Sequence, residues 1–279
     1  MGDEFMRNAH VGCRLKFNFD IELLNIKEDD MTRSSFRRKN MDMSTPTINV
    51  RHAADRGAAE FGCLASRHSF SFGHYYDPEH MGFRALRVIN NDRVHAGQGF
   101  GTHPHRNMEI ISIVVEGALE HRDSLGSGSV IRPGEAQRMS AGTGVQHSEF
   151  NPSLTDEVRL LQIWIEPEKS GLEPSYEQRP FLLEDNRNGW TLNASRDGRE
   201  GSLTLHQNVA LFRSLLAAGA LIDHRVASGR HAWIQVISGE IEVNRLRLQA
   251  GDGGASDGAG EMIITGIGED SDLILFDLS

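Results

Sequence analysis

The chain is predicted to be all-β, as two barrel units in tandem, and three observations carry that expectation. From Thr47 onward, short apolar or alternating runs are broken by Gly, Pro, Asn and Asp about every 8–12 residues, the rhythm of sandwiches and barrels. Stretches with helical periodicity are scarce. Two segments also repeat: "VVEGALEH" (Val114–His121) matches "VISGEIEV" (Val236–Val243), and each precedes a Gly-acid pair, Gly134-Glu135 and Gly251-Asp252.

The elements follow in chain order. Residues 1–46 read as a leader, with "KEDD", "RRKN" and potential starts at Met31, Met41 and Met43. It is too acidic for a transit peptide and has no apolar core for a secretory signal. Within it, "FNFDIEL" alternates Phe17, Phe19, Ile21 and Leu23 with polar residues, the pattern of an added edge strand. Strand runs then follow as "FRALRVI", "EIISIVVEG" and "VRLLQIWI" in a first unit, 47–168. The Pro-, Gly- and charge-rich "EPEKSGLEPSYEQR" separates it from a second, 169–279. That unit carries "SLTLHQNVALF", "AWIQVISG", "EIEVNRLRL" and "DLILFDL". "NVALFRSLLAAGA" reads either as strand or as a helical turn.

Bulk properties exclude several functions. The 279 residues fit two domains, and no apolar run approaches the ~20 residues of a membrane span. A formal charge of −10 opposes direct nucleic-acid binding. Two cysteines, Cys13 and Cys63, make no disulfide framework and fit a reducing, cytoplasmic setting. Thirteen histidines are many for an acidic protein, so their spacing matters.

In "GTHPHRNMEI", His103 and His105 stand at i and i+2 and so share one strand face. In "AGTGVQHSEFN", 42 positions after His105, His147 and Glu149 repeat that spacing behind the Gly142–Gly144 turn. Three imidazoles and a carboxylate suit a transition metal, and spacing does not choose among Fe(II), Mn, Ni, Cu and Zn. Glu109 shares strand parity with the histidines and could be a ligand, but is expected instead to orient an imidazole or make a structural hydrogen bond. His121 is read as a hairpin residue. His68, His74 and His80 flank an aromatic cluster, Phe70, Phe72, Tyr75 and Tyr76, read as barrel packing rather than a substrate box. No nucleophile triad or phosphate-cradling loop is present.

H-x-H-x3-E followed by Gly144-x2-His147-x3-Asn151 resembles the two-part cupin signature, with Gly142 where that signature usually has proline. The stretches "SRHSFSFGHYYDPEHMGFRALRVINNDRV", "GFGTHPHRNMEIISIVVEGALEHRDSLGS", "IRPGEAQRMSAGTGVQHSEFN" and "PSYEQRPF" narrow the resemblance to the pirin family. This resemblance implies two tandem cupin jelly-roll barrels, with one metal ion in the first, held by His103, His105, His147 and Glu149. Fe(II) is the implied ion, and Zn, Mn, Ni, Co or Cu are compatible. Aligning the repeat places Arg225 and Ala227 opposite His103 and His105, and Ile264 and Gly266 opposite His147 and Glu149, so the second barrel is expected to be metal-free. Arg106 and Met139 line the site by family position.

The implied activity is that of a quercetinase, which cleaves a flavonol such as quercetin with O2 and releases carbon monoxide. Glu149 would then be both ligand and base for the flavonol 3-hydroxyl. The alternative is a non-enzymatic regulator in which the oxidation state of iron controls docking of a protein partner.

Overall fold

The structure, a computed structural model, describes residues 14–15, 45–256 and 258–279. These residues form strands and three short 3-10 turns, at Ala53–Asp55, Leu183–Asn186 and Arg199–Gly201. The all-β expectation holds, and "NVALFRSLLAAGA" resolves as the strand Val209–Leu216. "FNFDIEL" lies outside the described residues. The backbone of Arg14–Leu15 pairs in parallel with Gly99 and Phe100.

Two sheets make each barrel. In the first, a seven-stranded sheet runs Ser175–Pro180, Glu135–Ser140, Glu109–Glu116, Val158–Ile165, Leu86–Val94, Leu64–His68, Gly57–Glu60. Opposite it lies a five-stranded sheet in which Gly99–His105, Val145–Phe150, Leu119–Asp123 and Gly128–Ile131 are adjacent in that order. The second barrel pairs another seven-stranded sheet, centred on Val209–Leu216, Ser271–Leu278 and His231–Ser238, with a four-stranded one. Sheet membership crosses the sequence division between the units twice. Ile48–Arg51 pairs with Gly253–Ser256 of the second barrel, and Ser175–Pro180 pairs with Glu135–Ser140 of the first. Each barrel is therefore closed by a strand from the other side of the division.

The two seven-stranded sheets pack face to face. Ile111, Ile113, Leu161 and Ile163 from the first meet Leu211, Trp233, Ile274 and Phe276 from the second in one core cluster. A strand buried on both faces needs apolar residues at consecutive positions, which explains the near-continuous runs in "EIISIVVEG" and "VRLLQIWI". The polar residues inside these runs are informative. Ser112 and Gln162 are buried, and they alternate with the residues that face the second barrel. They point into the first barrel.

The interiors of the two barrels differ sharply. The second is filled by hydrocarbon, including Ile222, Val226, Ile234, Val243, Met262 and Ile264. The first has apolar clusters around Leu64, Leu119 and Val158 and around Val88, Ile110 and Trp164, and it also buries His68, Asn90, Asp92, His121, Gln137 and Glu149. Burying that many polar groups is costly unless they are paired or bind something.

The sequence repeat survives in three dimensions. Gly117 and Gly239 both take φ near 78° where one strand turns into the next. A Cβ at Gly117 would stand 2.7 Å from the Glu157 carbonyl oxygen, and one at Gly239 2.5 Å from Ser271 Oγ. Both turns require glycine.

Cys63 is disulfide-bonded, so the cysteine count read above as fitting a reducing compartment does not by itself assign one. Among the described residues, no helix is long and apolar enough to cross a membrane.

Candidate metal centre

The strands Gly99–His105 and Val145–Phe150 pair antiparallel, with His103 opposite His147 and His105 opposite Val145. This register brings the two motifs together across 44 residues of chain. The imidazole centroids of His103, His105 and His147 lie 4.4–4.9 Å apart. One ring nitrogen from each falls within 4.8 Å of the others. A bulge between His147 and Glu149 shifts the register with the histidine strand, so Glu149 lies opposite Phe100 there, and regular pairing on its other side sets it opposite His121. Glu149 forms a second group with His147 and His121. The four residues expected from sequence thus occupy two overlapping groups that share His147.

Hydrogen bonds fix the protons on His103 and His121. His103 Nδ1 is 2.7 Å from the Gly101 carbonyl oxygen, so it donates there and leaves Nε2 as an acceptor. His121 Nε2 is 3.0 Å from Asp123 Oδ2 and must donate to that carboxylate. His121 Nδ1 is then an acceptor, 3.5 Å from His147 Nδ1, at the limit of hydrogen bonding. His147 Nε2 lies 3.0 Å from the His103 Nε2 acceptor and, with no ion bound, donates to it. The other neutral tautomer, protonated on Nδ1 towards His121, would turn both Nε2 lone pairs towards an ion. Two adjacent ligands on an ion, with bonds of ~2.1 Å at right angles, are ~3.0 Å apart, so the donor set fits a transition metal.

Burial also keeps these rings neutral. It depresses the pKa of His103 and takes that of His105 down to about 3, with the His103 charge adding to the effect on His105. His147 is pushed well below the ordinary histidine value by burial, then by His103, His105 and His121. Glu149 moves the other way, up to about 7, because burial outweighs its hydrogen bonds. Those bonds come from Ser112 Oγ at 3.1 Å, Gln137 Nε2 at 3.2 Å and Gln162 Nε2 at 2.7 Å. They fix the orientation of the carboxylate.

The histidine cluster and Glu149 line one wall of a cavity of about 240 Å³. Phe72, Phe100, Ile110 and Trp164 form apolar walls, and Ser66, His68, Asn90 and Asp92 form a polar one. Trp164 stands edge-on to His105 at 4.9 Å and to Phe72 at 5.3 Å.

Several sequence readings change. His121 is fully buried and stacks on Tyr176 at 4.9 Å, and it partners His147 rather than capping a hairpin. The signal was its parity with the core residue Leu119. His68 lines the cavity and is more than packing. Glu109 is fully buried and, of its expected roles, takes the structural hydrogen bond, orienting no imidazole of the cluster. It accepts a hydrogen bond from Ser140 Oγ at 2.6 Å and contacts His206 of the second barrel at 3.3 Å, making it a tie between barrels. Its parity failed because the chain breaks between the two strands at Asn107, where φ is 50°. Arg106 lines a neighbouring outer groove, and Met139 packs with Ile110 and Trp164. His224 packs against Trp190 and Phe212 and bonds Asp277, and His231 contacts Arg84 and Phe83. Among the described residues, both groups able to hold an ion lie in the first barrel. Opposite them by alignment, Ile264 is fully buried in hydrocarbon and Arg225 is exposed.

Fold and site together define a two-barrel cupin whose first barrel alone carries a converging histidine cluster. The Pirin family profile matches residues 49–165, and that of the quercetinase C-terminal cupin domain matches 192–278. The chain belongs to the pirin family. It is 48% identical over 231 residues to a quercetin 2,3-dioxygenase of Escherichia coli K12, covering 83% of this chain and 98% of the relative. The crystal structure of the E. coli bacterial pirin YhhW in complex with nickel(II) superposes with a TM-score of 0.79 at 47% identity, over 83% of this chain and 99% of that one. A quercetin 2,3-dioxygenase from Acinetobacter baumannii, 22% identical with a TM-score of 0.66 over 80% and 83% of the two chains, shares the fold.

Proposed function

We propose that this chain is a metal-dependent dioxygenase of the quercetinase type, with one ion held by His103, His105, His147 and Glu149. The observation that carries this reading is the convergence of the His103, His105 and His147 imidazoles, with the Nε2 atoms of His103 and His147 3.0 Å apart, in the wall of an aromatic cavity. The name of the E. coli relative, quercetin 2,3-dioxygenase, supports flavonol cleavage. Fe(II) is the proposed ion because reaction with O2 calls for a redox-active metal. The nickel(II) complex of the E. coli pirin makes nickel the comparison ion.

A bound divalent ion would supply a Lewis-acidic centre with positions left for substrate and O2. The chain supplies the rest. Neutral imidazoles give up no proton on ligation, because burial has already removed it. Glu149, its carboxylate aligned by Ser112, Gln137 and Gln162, would be kept ionised by the ion and would take the 3-hydroxyl proton of a flavonol on loosening from it. Trp164, Phe72 and Phe100 exclude water and accommodate a flat ring system.

The test is an oxygen-electrode assay of protein loaded separately with Fe(II) and Ni(II), using quercetin, with carbon monoxide measured in parallel. Equal molar O2 uptake and CO release is expected. Absence of O2 uptake across a flavonol panel would overturn the enzyme reading. Partner affinity that differs between Fe(II) and Fe(III) would then favour the redox regulator.

A further inference from the structure

The cavity has a second polar pole that the metal does not use. Ser66, His68, Asn90 and Asp92 come from the neighbouring strands Leu64–His68 and Leu86–Val94, where His68 pairs with Asn90 and Ser66 with Asp92. Side chains two apart on a strand share a face, so all four point into the barrel. His68 is 4% exposed and Asp92 3%, and both line the cavity.

The hydrogen bonds leave this pole with acceptors to spare. Ser66 Oγ donates its one proton to Asp92 Oδ1. Asn90 Oδ1, an acceptor, lies 2.7 Å from His68 Nδ1, and Ser66 Oγ lies 3.3 Å from the same nitrogen. Both neighbours call for a proton on Nδ1, so His68 Nε2 carries the lone pair. Burial lowers the His68 pKa and keeps the ring neutral. Among the described residues, neither His68 Nε2 nor Asp92 Oδ2 has a hydrogen-bond partner, and neither is sealed from the cavity. Burial raises the Asp92 carboxyl to about 7, so Oδ2 is an acceptor in the ionised form, beside the His68 Nε2 acceptor. Buried acceptors open to one cavity need donors, because leaving them unmet costs free energy.

We infer that His68 and Asp92 form a recognition pole for a phenolic hydroxyl, selecting planar aromatic ligands that carry a hydroxyl donor remote from the metal centre. The flanking surfaces fit such a ligand. His68 packs against Phe72 at 5.3 Å and lies nearly parallel to Tyr75 at 6.3 Å, and Phe72 in turn meets Trp164. These rings supply apolar faces for an aromatic ligand, while the pole accepts its hydroxyl proton in a hydrogen bond. An aliphatic ligand would lose the stacking, and an aryl ether would leave both acceptors unmet. The inference deepens the dioxygenase proposal by assigning substrate selection in the same cavity.

The experiment measures binding without turnover. Quenching of tryptophan fluorescence, reporting Trp164 in the cavity wall, is titrated with quercetin and with its fully O-methylated derivative. Metal-free protein is used, so that chelation contributes nothing. The wild type is expected to prefer the hydroxylated ligand by about ten-fold or more. His68→Phe keeps an aromatic ring and removes the acceptor, and should lose most of that preference without weakening binding of the methylated ligand. His68→Gln, whose amide reaches the Nε2 position, should restore part of the preference. Asp92→Asn should reduce it, and all three variants should keep wild-type metal affinity. Equal discrimination in the wild type and His68→Phe would overturn the assignment. Discrimination that persists in a protein with no O2 uptake would sustain the pole while removing the dioxygenase reading.

Discussion

Replacing Glu149 by glutamine should stabilise the metal-free protein at alkaline pH while weakening its hold on metal. Glu149 is fully buried, and its carboxyl rises from an ordinary 4.5 to about 7, chiefly through burial. Below pH 4.5 both folded and unfolded chains hold the proton. Between 4.5 and 7 the unfolded chain releases it and the folded chain keeps it, so folding stability falls as pH rises through this window. Above 7 the loss is complete, and a displacement from 4.5 to about 7 corresponds to about 3 kcal/mol. Glutamine is neutral at every pH and mimics the protonated acid, so it lacks this penalty. Urea unfolding of both proteins, stripped of metal, at pH 5 and pH 8 measures the effect. The stability difference should be small at pH 5 and favour Glu149→Gln by about 2–3 kcal/mol at pH 8. Adding Fe(II) or Ni(II) at pH 8 should reverse the order, because an ion that binds only the folded state adds stability according to its affinity. A glutamine variant less stable than the wild type at pH 8, or a difference independent of pH, would refute the reasoning.

Because the histidines are already neutral, metal uptake near pH 6 should release about one proton per ion, from Glu149 alone. Isothermal titration in buffers of different ionisation enthalpy counts it, and release of three or more would place the histidine protons wrongly. Asp123→Asn removes the acceptor that holds His121 and, through it, His147, and should weaken metal binding about ten-fold or more. Competition with a chelator measures that loss, and an unchanged affinity would dismiss the chain from Asp123 to His147. Phe276→Ala opens a void in the core between the barrels and should cost about 3–5 kcal/mol in denaturant unfolding. A cost below 1 kcal/mol would show that the barrels do not share that core.

Much of the site was legible because strand periodicity is local. His103 with His105, and His147 with Glu149, each sit two residues apart, and that spacing alone predicts a common face. What joins the pairs is a register set by neighbouring strands, and neither the bulge that sets Glu149 opposite Phe100 nor the regular pairing that sets it opposite His121 has a local sequence mark. The second polar pole was hidden for another reason. His68 stands among Phe70, Phe72 and Tyr75, where composition argues for packing, and only the pairing of Leu64–His68 with Leu86–Val94 puts Asn90 and Asp92 beside it. Glu109 shows where parity misleads. One left-handed residue, Asn107, separates its strand from that of the histidines and turns the carboxylate towards His206. The strand exchange between barrels was equally invisible, since pairing of Ile48–Arg51 with Gly253–Ser256 spans almost the whole chain.

Metal stoichiometry tests the central claim most directly. Titration of metal-free protein with Ni(II) or Fe(II) under anaerobic conditions, followed by native mass spectrometry, should show one ion per chain in the wild type and none in His103→Ala or His147→Ala. Wild-type occupancy in those variants, or a second equivalent bound with equal affinity, would contradict a single centre in the first barrel.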